Sequence, residues 1–245
     1  MAHSIRFRCA CAVLLSLLLP IQAAAYDQNR IATDEAGNPV RIQGSVVLVE
    51  PDIELTLVTA GGMQEPRREW SDTARRLYPE AVGRLLESQG SQRMPDFPVG
   101  PDVAPGSRIG QLVRLNQAVS VSIAIYSRPG SYLATKGRQL DWTLGPGVSE
   151  LQEATGADYA LFTYIRDSYA SEGRKAMRVL GFIAGAAMGS VVDIGGGQQL
   201  GVATLVDLRT GQVVWFNLIA KQTGDMRDAE GAEMTVARLL EGLPL

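Results

Sequence analysis

The chain is short of the residues that carry most nucleophilic and metal chemistry. It has one histidine and two cysteines in 245 residues, and all three (His3, Cys9 and Cys11) fall at its very start. That start has the form of a secretory signal: basic Arg6 and Arg8, an apolar run over residues 10–21, and Ala23-Ala24-Ala25 as a small-residue cleavage site. The expected cut lies between Ala25 and Tyr26. An uncleaved membrane anchor is the alternative, but spanning a bilayer takes about 20 apolar residues, and this run is shorter and broken by Pro20. Neither cysteine sits where a lipid anchor would need it. Cleavage would leave 220 residues with no cysteine and no histidine. Disulfides, thiol nucleophiles, histidine triads and His/Cys zinc sites are then all excluded. At this size roughly 70% of the unfolded chain's surface can be buried, so a core alone suffices for stability.

A basic excess is missing too. Without Arg6 and Arg8 the chain carries 21 basic against 26 acidic residues, a net charge of −5. Nucleic-acid binding, which calls for a basic stripe, is not expected. No internal repeat and no linker marks a second domain, so residues 45–245 read as one domain behind a signal (1–25) and a loosely ordered polar arm (26–44).

What is present is a series of strands and helices. Residues 45–58 read as a strand. Val46-Val47-Leu48-Val49 is continuously apolar, as for a strand covered on both faces. Ile53, Leu55 and Leu57 then alternate with polar residues, and Pro51 marks a bulge or edge. Residues 70–88 form an amphipathic helix with Trp70, Ala74, Leu77, Ala81, Leu85 and Leu86 on one face. Ser71 or Asp72 is its expected cap, and Pro79 should kink it. Residues 91–107 are a Pro-rich surface loop. Residues 109–126 fit helical and strand periodicity alike; their length and weak breakers favour helix. A short helix over 148–154 ends at Gly156. Strands follow over 158–165, 200–208 and 212–219, the last two joined as a hairpin at Arg209-Thr210-Gly211. A final helix from Ala229 to Glu241 is capped by Asp228. Helices separating strands imply an α/β fold with an α+β tendency: a mixed sheet ending in an antiparallel hairpin, with helices packed on it.

The segments GADYALFTYIRDSYAS and VATLVDLRTGQVVWFN, with VEPDIELTLVTAGGMQEPRREW before them, resemble uncharacterised secreted proteobacterial envelope proteins. More distantly, residues 150–220 are similar to the α/β domain of the curli secretion channel CsgG and to the TolB amino-terminal domain. The resemblance implies a periplasmic assembly or scaffold role rather than catalysis. The chain departs from the lipoproteins of that group by lacking a lipobox cysteine.

The sharpest feature is the apolar segment 179–192, between Arg178 and Asp193. As a helix its fourteen residues would reach about 21 Å at 1.5 Å per residue, short of the roughly 30 Å hydrocarbon core. Gly181, Gly185 and Gly189 recur every four residues, a spacing that lets backbones approach closely. Each helical glycine costs about 1 kcal/mol relative to alanine, so three of them need a packing reason. Arg174, Lys175 and Arg178 crowd one end and could meet anionic headgroups. Three readings stay open: a core helix, a self-association surface and a membrane contact.

Other features carry less. Gly195-Gly196-Gly197 opens no dinucleotide fingerprint, because the third glycine would fall at Leu200 and a strand follows. Arg166-Asp167 reads as a surface charge cluster at a strand end. Asp141, Asp158, Asp167 and Asp193 are available as carboxylates, but no spacing ties two together. Trp142 and Trp215 read as core or half-buried sheet residues. No catalytic, cofactor or metal residues are assigned. The expectation is a secreted, periplasmic, non-enzymatic envelope protein that contacts itself, a protein partner or the membrane surface. The alternatives are a carboxylate-dependent hydrolase and a small-ligand binder.

Overall fold

Among the described residues, eight strands form a single mixed sheet with helices on both faces. The structure, a computed structural model, describes residues 27–100, 106–187 and 197–245. The strands are β1 (Gln28–Ile31), β2 (Ser45–Leu48), β3 (Asp52–Val58), β4 (Gln64–Pro66), β5 (Gln92–Arg93), β6 (Tyr159–Ala170), β7 (Gln199–Asp207) and β8 (Val213–Ile219). The helices are α1 (Arg68–Ser88), α2 (Arg108–Tyr126), α3 (Ser149–Thr155), α4 (Glu172–Ala187) and α5 (Ala229–Leu239).

The long strand β6 is the spine. On one side it pairs antiparallel with β7, which pairs with β8, which pairs with β1. On the other it runs parallel to β2 and then to β3. Leu48 lies opposite Leu161 and Asp52 opposite Tyr164, so the four steps from 48 to 52 match only three from 161 to 164. The extra residue is a bulge beside Pro51. It brings Val49, Glu50 and Asp52 to the same side, which regular alternation forbids.

Side-chain alternation sends Val46, Leu48, Leu161, Ile165 and Trp215 toward α1 and α5. Val47, Val49, Ala160, Phe162 and Phe216 go toward α2 and α3. The expected two-sided burial of residues 46–49 is observed. The hairpin at Gly211 (φ +75°), the α3 stop at Gly156 (φ +68°) and the Asp228 cap of α5 are observed as well. Residues 109–126 are helix, and Ser107 caps it by accepting the Gly110 N–H.

Four expectations are corrected. Residues 28–31, expected in a loose arm, are the edge strand β1, tied to β8. Helix α1 starts at Arg68 and has no side-chain cap. Ser71 instead accepts the Leu55 N–H at 2.9 Å, joining helix to sheet, and Asp72 pairs with Arg75. The strand expected over 158–165 continues to Ala170. Within it Arg166 and Asp167 point to opposite faces: Arg166 bonds Asp52 at 3.0 Å, while Asp167 is 2% exposed. They form no surface cluster.

Candidate functional site

Helix α4 leaves the sheet where the β6–β3 ladder ends. Ser171 N–H still donates to Val58 O at 2.9 Å, and its hydroxyl then accepts the Arg174 N–H at 3.1 Å, capping the first turn. Beneath this take-off point lies a buried polar anchor. Tyr169 donates to Asp167 at 2.5 Å, and the Gln199 amide donates to the same oxygen at 3.0 Å. Burial outweighs these hydrogen bonds and lifts the Asp167 carboxyl to about 6. Arg227 packs 4.0 Å from the Tyr169 ring centroid and 4.7 Å from that of Trp70, and grips Asp225 with two hydrogen bonds. The residues from which α4 springs are therefore fixed from three sides.

The helix itself is amphipathic and points its apolar side outward. Met177, Val179, Leu180 and Ile183 are 49%, 59%, 60% and 59% exposed. Arg174 and Gly181, seven residues apart and so on one face, are half-buried. Arg174 lies toward the β3–β4 turn, where its guanidinium would sit 3.3 Å from a Cβ added at Gly62. The glycine stripe thus starts on the side turned to the body, and aliphatic side chains occupy the side turned to solvent. Lys175 is exposed and pairs with Glu172 at 2.7 Å; Arg178 is exposed. Gly185 lies within α4, and Gly189 and Asp193 lie outside the described residues. Residues 179–183 do not form a core helix, because their aliphatic side chains are more than half exposed where a core helix would bury them.

A second apolar surface was not legible as a site. Between α2 and the strands β6, β7 and β8 lies a groove of about 530 Å³. Its origin is sequential: Asn116, Ser120 and Ala124, four residues apart, place small or polar side chains where α2 meets the sheet. Asn116 spends its carbonyl on Thr204 (2.9 Å), and Ser120 bonds back to Asn116 O. Phe162, Val202, Thr204 and Leu218 line the space below. The rim carries Val121, Ile125 and Leu200, 59%, 47% and 39% exposed. Glu50 and Asp52 stand at one end, held by the Val99 N–H and by Arg166.

The carboxylates singled out from sequence do not converge. Asp158 caps β2 through Ser45 N–H and hydroxyl, Asp141 lies 3.6 Å from Lys136, and Asp167 belongs to the anchor. Trp215 is fully buried, and half-buried Trp142 lies under Lys136. Among the described residues no three His, Cys, Asp or Glu side chains gather as a metal site, and no helix is long and apolar enough to cross a membrane.

No family model and no curated protein matches the chain. Solved structures do. A PelC dodecamer from Paraburkholderia phytofirmans matches with a TM-score of 0.36 and 12% identity, over 90% of this chain and 98% of that one. A second PelC dodecamer structure from that organism gives a TM-score of 0.37 at 12% identity, with the same coverage. The lipoprotein GNA1162 from Neisseria meningitidis gives 0.30 at 13% identity, over 73% of this chain and 79% of that one. The α/β class expected from the order of strands and helices is the class observed. Likenesses at this level carry no argument about function.

Proposed function

We propose that the protein is a non-catalytic component of the bacterial cell envelope that works by self-assembly, with the outward face of α4 as its contact surface. One observation carries the reading: four aliphatic side chains on consecutive turns face solvent from a helix whose base is rigidly anchored. Exposed apolar surface of this kind marks interaction sites. Export rests on the N-terminal signal pattern, and the absence of catalysis on a chain with neither cysteine nor histidine beyond residue 11.

The test is the mass of the exported protein in detergent-free buffer, measured by light scattering. Wild type runs above the monomer mass, and Leu180→Glu/Ile183→Glu runs as a monomer with an unchanged circular dichroism spectrum. A monomeric wild type at every concentration sinks the reading.

Arg174, Lys175 and Arg178 on the same helix favour a second reading, in which α4 lies on an anionic membrane surface. Cosedimentation of wild type with phosphatidylglycerol vesicles, lost in the same double variant, would support it over self-assembly.

A further inference from the structure

The outward face of α4 is too small to hold two copies together by itself. A stable interface buries about 800 Å² per partner. Even at roughly 150 Å² per side chain, the size of a small aromatic, four residues about half exposed offer less than half of that. A face-to-face pair of α4 helices is therefore not enough.

The groove along α2 is a second apolar surface, and a helix seated in a groove buries more of its circumference than one laid against another helix. It is concave where α4 is convex, and its rim residues Val121, Ile125 and Leu200 are exposed aliphatics, as are those of α4. Within one chain these surfaces stay apart, since both remain open to solvent. Charge sets a direction as well. Glu50 and Asp52 lie at the end of the groove near Gln117, whose amide is 3.5 Å from Asp52. Arg128, also on the groove wall, lies just past the carboxyl end of α2, eleven residues beyond Gln117. In the amino-terminal half of α4, Lys175, paired with Glu172, and Arg178 are exposed, and Ile183 follows them.

We propose that the occupant of the groove is α4 of a second copy. Its basic half lies over Glu50 and Asp52, and Leu180 and Ile183 enter between Val121, Ile125 and Leu200. This deepens the self-assembly reading and rests on it. Within the contact, helix meets groove and not its own counterpart. Each copy offers one helix and one groove, so the contact either repeats reciprocally in a two-fold pair or, where the rotation between copies differs, closes into a ring or continues as an open filament.

Two variants of the exported full-length protein test this, each broken on one surface: Leu180→Glu/Ile183→Glu on the helix and Val121→Glu/Ile125→Glu on the groove. All four positions are exposed, and circular dichroism melts confirm folding; Leu200→Lys replaces the groove variant if that one is unstable. Each variant alone runs as a monomer. An equimolar mixture forms a one-to-one complex of twice the monomer mass, because one intact helix meets one intact groove and nothing remains to extend it. If the groove variant assembles as wild type while the helix variant is monomeric, α4 is the contact but the groove is not its seat, and only this inference fails. If both are monomeric and the mixture stays monomeric, the helix-in-groove contact is overturned. If the helix variant assembles as wild type, the proposed function fails with it.

Discussion

The hydroxyl of Tyr169 donates to the buried Asp167 carboxylate at 2.5 Å and accepts the Met226 N–H at 2.9 Å. This one oxygen ties β6 to the segment before α5, directly below α4. Tyr169→Phe leaves a buried amide and a buried carboxylate short of a partner. It should cost about 1–3 kcal/mol, read as a lower denaturant midpoint with an unchanged m-value.

Asp167 gives stability a pH dependence with a definite sign. Its carboxyl protonates near 6 when folded, against about 3.9 for an aspartate in the unfolded chain. Between those values the folded state holds the extra proton. The contribution is full below about pH 4 and is lost as pH rises through 6, by on the order of 2–3 kcal/mol. In Asp167→Asn that loss disappears. The stability of wild type minus that of the variant should therefore fall between pH 4.5 and pH 7.5; parallel curves would show that Asp167 does not titrate there.

Arg227 stabilises mainly by stacking. Its ion pair with Asp225 is more than a third exposed and screened, whereas the guanidinium lies against both Trp70 and Tyr169. Arg227→Ala should cost about 1–2 kcal/mol, and Arg227→Lys should restore only part of it, since an ammonium cannot stack as a plane. Denaturant titration of the three proteins gives the ranking.

Gly211 is fixed by two constraints at once. Its φ is +75°, and a Cβ there would lie within 2.3 Å of the Gly145 carbonyl oxygen. Gly211→Ala should destabilise by at least about 1–2 kcal/mol, measurable as a fall in melting temperature. Gly37, also at positive φ but with open space around it, isolates the backbone part when replaced by alanine.

Much of this fold was legible because its signals are local. The run from Val46 to Val49, the alternation of α/β elements and the Gly211 turn each carry their physics within a few residues. What was hidden depends on partners distant in sequence. Ser71 looked like a cap, and its hydroxyl instead serves Leu55 across the helix–sheet junction. Asp167 looked exposed because the strand was expected to end before it; with β6 extended to Ala170, alternation turns it inward. The groove had only one trace in the sequence, the spacing of Asn116, Ser120 and Ala124, which is also the pattern of an ordinary helix face. For α4 the apolar run and its glycine spacing were legible, but which side faced the body depended on the turn at Gly62, more than a hundred residues earlier.

Amide hydrogen exchange across residues 172–187 at low and high protein concentration watches the proposed contact itself. Protection of α4 should rise with concentration while β6 and β7 exchange at the same rate throughout. Exchange in α4 that is fast and independent of concentration would contradict assembly through this helix.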